Sequence, residues 1–281
     1  MFKNIIGGIA VGIANVIPGV SGGTMMVLLG IFDKIMEAIP GVLAIHSPKR
    51  KEYIIFLCEV LVGAAIGLVG FAKVLEYLFE AFPIQTIYWF IGLIAFSIPV
   101  FVKSEMKGYK LSIIPLIIGM VIVIGLQILN PGDATNTAVT YPALTVINLL
   151  VMVVVGFIAG FTMFLPGVSG SMVLLIIGKY HLFKSYLDNV TSFDLNILIP
   201  LGFMGVGILL GIVVSAKVLK IAFDINKGAT LSLLLGLIIA STLVLIMQTF
   251  TSGFDVMLVV TSFISFLFGG LIVYLLNHYV K

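Results

Sequence analysis

Charge is what this chain has least of. Asp, Glu, Lys and Arg make up 10% of its 281 residues, against 61% hydrophobic residues and a mean hydropathy of +1.28. A soluble domain carries roughly 25% charged residues, so a water-soluble globular fold is excluded and a polytopic membrane protein is expected. Cysteine is almost absent. The single Cys58 lies in an apolar run, which excludes an intramolecular disulfide and a cysteine metal cluster. The three histidines, His46, His181 and His278, are scattered without ligand spacing. Arg50 is the one arginine, in a loop, so the clustered His, Asp and Arg that a membrane phosphatase would need are missing, and no enzyme and no cofactor are expected. The net charge of +3 sits in short loops rather than in a stripe, which argues against nucleic acid. Met1 to Ile17 is apolar but has no basic n-region or small-residue cleavage site, so no cleavable signal is expected.

What the chain does have is one motif twice. Pro18-Gly19-Val20-Ser21-Gly22 recurs as Pro166-Gly167-Val168-Ser169-Gly170, 148 positions later (166 − 18). Each copy interrupts a long apolar block, 2–44 in the first half and 142–186 in the second. Gly12 and Gly30 match Gly160 and Gly178 at the same offset. At an offset of 144, Gly63 and Gly67 match Gly207 and Gly211, Ala72 to Leu75 match Ala216 to Leu219, Thr86 matches Thr230, and Gly92-Leu93-Ile94 and Ser97 match Gly236-Leu237-Ile238 and Ser241. Gly125 falls on Gly269. The chain reads as a duplicated unit, 1–135 and 136–281, in one membrane domain.

After each broken block come three apolar stretches near the roughly 20 residues that cross a bilayer. They are 53–82, 84–102 and 111–129 in the first half, and 196–223, 229–250 and 256–277 in the second, with Lys227-Gly228 as the turn between the first two of these. Loop charge gives the orientation. His46 to Lys51 and Lys103 to Lys110 are basic and belong on the cytoplasmic side. The polar 130–141 loop has no Lys or Arg and belongs outside, as does 188–195. Lys217, Lys220 and Lys227 place the next turn inside. The pattern closes only if each broken block enters and leaves on one side. The expected fold is therefore all-α, with two inverted-topology repeats, each a broken or re-entrant helix hairpin plus three transmembrane helices, and both termini cytoplasmic.

Proline removes a donor and clashes with the preceding turn, and the flanking glycines let the backbone bend. Broken backbone inside a bilayer persists only where protein or a water-filled cavity satisfies it. The helices that restart after the breaks present unpaired N–H groups and the positive end of a dipole. Ser21, Gly22, Gly23 and Thr24 mark one start; Ser169, Gly170 and Ser171 mark the other. Such ends suit a phosphate or carboxylate, and paired broken helices at the midplane of inverted repeats suit an alternating-access transporter. The bland alternative is that small residues serve only close helix packing, and Gly63, Gly67, Gly207 and Gly211 are read that way. Asn15 and Thr24 face Met163 and Met172 across the repeat, so the first copy is the more polar. Lys73 and Lys217 are either anion receivers, one per leaflet, or snorkelling topology anchors. Glu59 has Phe203 at its matching position. It is the candidate for proton or sodium coupling, with an interfacial location as the alternative.

Asn15 to Thr24, with Leu165 to Ser171, resembles the motif pair of the bacterial polyprenyl-phosphate (undecaprenyl-phosphate) transporter family, and the resemblance extends over essentially the whole chain. It implies translocation of undecaprenyl phosphate from the outer to the inner leaflet of the cytoplasmic membrane, recycling the carrier lipid for cell-wall (peptidoglycan) synthesis. The expected phosphate site, read from the two breaks and the matched lysines, comprises Asn15, Pro18, Gly19, Ser21, Gly22, Gly23, Thr24, Gly167, Ser169, Gly170 and Ser171, with Lys73 and Lys217. The alternative is a secondary carrier for a small soluble anion, whose site would be closed to lipid on every side; a lipid carrier needs a lateral opening. The lipid and the bilayer are the expected partners, and the residues leave the oligomeric state open.

Overall fold

A computed structural model describes residues 2–16, 23, 25–26, 29–44, 47–129, 141–163, 165–249 and 256–279. Among them there are helices and no strands. In chain order they are α1 (Phe2–Val16), α2 (Phe32–Leu43), α3 (Arg50–Ala81), α4 (Pro83–Ser104), α5 (Ile113–Leu129), α6 (Val146–Thr162), α7 (Gly170–Ile176), α8 (Tyr180–Asp188), α9 (Leu195–Thr249) and α10 (Val256–Tyr279). Among the described residues, four stretches are long and apolar enough to cross a membrane: Arg50–Phe71, Pro83–Lys103, Leu195–Met247 and Val256–Leu275. With no backbone partner in hydrocarbon, each such stretch satisfies its own N–H and C=O groups as helix.

Two joints make the long helices turn. Phe82 separates α3 from α4 with φ −140° and ψ 55°, and Asn226 interrupts α9 with φ −155° and ψ 91°. The Thr86 hydroxyl donates to the carbonyls of Phe82 (2.7 Å) and Leu78 (3.0 Å), reaching back across the first joint. Thr230 does the same at the second, to Asn226 (3.0 Å) and Ala222 (2.9 Å). The turn expected at Lys227-Gly228 is thus one residue earlier. Lys227 and Gly228 are already helical, because the Asn226 side chain accepts from the Ala229 N–H at 3.0 Å and caps the second arm.

Small residues set the helix pairs. A Cβ on Gly63 would lie 2.2 Å from the Ile5 carbonyl oxygen and one on Gly67 would lie 2.1 Å from that of Ile9, so only glycine permits α1 and α3 to approach this closely. The partner of Gly207 is Val153 (2.1 Å) and that of Gly211 is Phe157 (2.2 Å). In both pairs the register rises along both helices, so α1 runs parallel to α3, and α6 to the first arm of α9.

The remaining helices pair across the halves. Gly92 of α4 meets Phe266 of α10, and Gly236 of α9 meets Leu116 of α5. Gly119 of α5 meets Leu233, and Gly269 of α10 meets Trp89. These pairs too are parallel: Gln85 donates to Thr261 near one end of α4·α10, and Gly270 abuts Phe96 further along. The contacts correct one sequence match. A Cβ added to Gly125 would meet nothing within 4 Å, whereas Gly119 makes the contact that corresponds to that of Gly269. The last helix of each half therefore aligns at an offset of 150 (269 − 119) rather than 144.

Candidate functional site

The first motif, Pro18 to Gly22, and Thr24 lie outside the described residues, as do the side chains of Asn15 and Lys73. Gly23 is helical and buried. The second motif is described in full. α6 ends at Thr162, whose hydroxyl donates back to Ile158 (3.1 Å) and Ala159 (2.9 Å), and single-turn bonds from Leu165 to Thr162 and from Val168 to Leu165 carry the chain through the break. Gly167 has φ +79°, the left-handed region that favours glycine. A Cβ there would also stand 2.5 Å from the Leu237 carbonyl oxygen and 3.0 Å from the Ser241 Cβ. The break is therefore pressed onto the second arm of α9. Pro166, Gly167 and Val168 are buried, and the chain emerges at Ser169 and Ser171.

α7 then folds back beside α6, with Gly170 against Ala159. The apolar stretch to Tyr186 expected as one piece is divided again at Gly178 (φ +67°), as the matching stretch is at Gly30 (φ +65°). α8 follows and is anchored by Tyr186, which is 1% exposed and stacks on Tyr141 at 5.3 Å. Burial, and then the neighbouring Tyr141, push the Tyr186 hydroxyl above its usual pKa.

Ser169 occupies the N-cap position of α7 but its hydroxyl does not cap it. It pairs instead with the Ser171 hydroxyl at 2.7 Å. That pair uses one of two hydroxyl hydrogens, and both hydroxyls line a cleft of about 630 Å³. One wall comes from the first half: Gly12 of α1 and Leu61, Ala64, Ala65 and Leu68 of α3. The other is built by Ala159, Gly160, Met163, Val168 to Ser171, and Phe183 and Leu187 of α8. Leu61 is 66% exposed and Leu68 45%, and both belong to a candidate span, so the cleft borders the surface that would face lipid. An apolar trough with two hydroxyls at one point can hold a greasy chain and donate to an anion together.

The structure thus brings Gly167, Ser169, Gly170 and Ser171 together at or beside the cleft. Lys217 is exposed on α9 and does not line it. Glu59 is half-buried and accepts from the Asn4 amide at 2.6 Å, tying α3 to the start of α1. Sequence reasoning missed the α3 wall, since Ala64 and Ala65 carry no chemical signal. It also missed the role of Leu237 and Ser241 as the seat of the break, although both stood in the repeat match.

A family model described as undecaprenyl phosphate translocase-like matches residues 11–257, which include both motif copies and both cleft walls. The chain belongs to the undecaprenyl phosphate translocase-like family. The polyprenyl-phosphate transporter of Staphylococcus aureus (strain NCTC 8325 / PS 47) is 28% identical over 247 residues, covering 85% of this chain and 83% of that protein. The polyprenyl-phosphate transporter of Vibrio cholerae serotype O1 (strain ATCC 39315 / El Tor Inaba N16961) is 31% identical over 245 residues, covering 83% and 74%. No solved structure matches the chain.

Proposed function

We propose that this family member moves undecaprenyl phosphate from the outer to the inner leaflet of the bacterial cytoplasmic membrane, by alternating exposure of a phosphate site at the paired helix breaks. The observation that carries this reading is the serine pair of the second break on a cleft that borders the lipid-facing surface. The phosphate would take the hydroxyls of Ser169 and Ser171 and N–H groups near Gly170, while the polyprenyl chain stays against Leu61 and Leu68. Asn15, Ser21, Gly22, Gly23 and Thr24 would complete the site from the first break, with Lys73 and Lys217 receiving the anion at either leaflet. The lateral border favours a lipid over a small soluble anion, whose carrier would need a closed site.

The two halves, 1–135 and 136–281, are read as inverted repeats. Consecutive spans α4 and α5, joined by a short loop, must cross in opposite directions. The parallel run of α5 with the second arm of α9 then turns that arm against α4, its match in the other half. The same reading puts the joint near Lys227 on the side of the basic loop 105–110, which agrees with the contact of Gly228 with Tyr109 and Lys110. Both termini would be cytoplasmic. Glu59 is assigned to proton or sodium coupling.

Proteoliposomes test the reading. Undecaprenyl phosphate placed in the outer leaflet should lose accessibility to an added phosphatase faster with the protein than without it. Equal rates, or saturable uptake of inorganic phosphate in its place, would overturn the proposal.

A further inference from the structure

α2 and α8 hold matching places in the two halves, with Phe32 and Tyr180 148 residues apart, yet they are packed differently. α2 is clamped onto the other half. Phe32 is 3% exposed and meets the Phe223 ring edge-on, centroids 6.3 Å apart. The Lys227 ammonium stands 3.6 Å from the Asp33 carboxylate. Among the described residues α8 packs on α7 and α9 of its own half, and no packing of the α2·α9 kind joins it to α3 or α4. The glycine joints repeat the contrast. A Cβ on Gly30 would come within 3.9 Å of the Glu105 carboxylate, and one on Gly178 would meet nothing within 4 Å. The open cleft lies on the α8 side, walled by Phe183 and Leu187.

We propose that α2 and α8 are reciprocal gates, and that the structure is the state with the α2 gate shut and the α8 gate open. This rests on the transport reading above. Two matching arms of inverted repeats can exchange conformations, and the exchange generates the oppositely open state from the same contacts. Carrying the α2 contacts over by 148 for the gate and 144 for the receiving helix turns Phe32 on Phe223 into Tyr180 on Phe79. Phe79 stacks on Phe90 at 6.4 Å and presents an aromatic seat. The ion pair turns into His181 and Pro83, so the α8 gate has no such latch. Lys227 and Asp33 are 37% and 48% exposed, and a pair so wet biases the equilibrium towards the shut α2 gate by up to about fivefold. The protein at rest then waits with its site open on the α8 face, which the proposed topology makes the outer one.

Paired cysteines in a Cys58→Ser background test this in proteoliposomes. Phe32→Cys with Phe223→Cys, and Tyr180→Cys with Phe79→Cys, should each cross-link under oxidation, each halting polyprenyl-phosphate transport until reductant is added. Transport that proceeds while the Tyr180/Phe79 pair never cross-links would overturn the gates. Because loss of an aromatic can damage folding, a charge swap gives a second reading. Asp33→Lys should raise maleimide labelling of Leu231→Cys, which lies buried on the crevice beside Phe32, up to about fivefold, and adding Lys227→Asp should return it to the starting level; no return would overturn the latch. Cross-linking is read without a lipid substrate, so gates that alternate in a protein that moves no polyprenyl phosphate would sink the transport reading and leave the gates standing.

Discussion

Gly167→Ala separates the two demands that the second break makes on its glycine. The backbone is left-handed at φ +79°, which costs an alanine about 1–2 kcal/mol. The added Cβ would also sit 2.5 Å from the Leu237 carbonyl, a backbone atom in the middle of α9 that cannot swing aside. Overpacking of that kind costs about 1–3 kcal/mol more, for a total of about 2–5 kcal/mol. Gly178→Ala is the matched control. Its φ is +67°, but nothing lies within 4 Å of the new Cβ, so only the backbone cost of about 1–2 kcal/mol remains. Reversible denaturant unfolding in detergent, followed by circular dichroism, measures both. Gly167→Ala should lose the greater stability, and the difference between the variants reports the seat on α9. Equal losses would refute the contact with Leu237 and Ser241.

Thr86→Val and Thr230→Val each remove a hydroxyl that bridges a helix joint, and each should cost about 0.5–1.5 kcal/mol in the same unfolding experiment; a loss at one joint alone would break the parallel between them. Gly63→Ala and Gly207→Ala both force a methyl onto a facing carbonyl at 2.2 and 2.1 Å and should each destabilise by about 1–3 kcal/mol, while Gly70→Ala, with open space around it, should be neutral or mildly stabilising. Glu59→Gln keeps an acceptor for the Asn4 amide and should preserve the fold. It should also remove the dependence of transport on an ion gradient, and a retained dependence takes Glu59 out of the coupling role.

The helical, membrane-embedded character was legible because composition alone leaves no other way to satisfy the backbone. The second break was legible because Pro-Gly in an apolar run has few other meanings, and the glycines at 63, 67, 207 and 211 do stand at close helix crossings, as their spacing implies. What the sequence concealed lies between elements. Nothing about Leu237 or Ser241 says that a glycine 70 or more residues earlier will lean on them. Ala64 and Leu61 form a wall of the cleft by position, not by chemistry. Gly125 misled because a numerical match was available at the wrong offset, and only its empty surroundings, against the crowded ones of Gly119, show which glycine bears the crossing. The joint at Asn226 was hidden beside a Lys-Gly pair that looks more like a turn, when the asparagine side chain makes the cap.

Binding of a short-chain polyprenyl phosphate to the protein in nanodiscs, compared between the wild type and Ser169→Ala with Ser171→Ala, tests most directly whether the serine pair holds the headgroup. Hydrogen bonds to a charged group contribute about 1.5–3 kcal/mol each, so the account predicts at least about a tenfold loss of affinity with the fold intact. An unchanged affinity would contradict it.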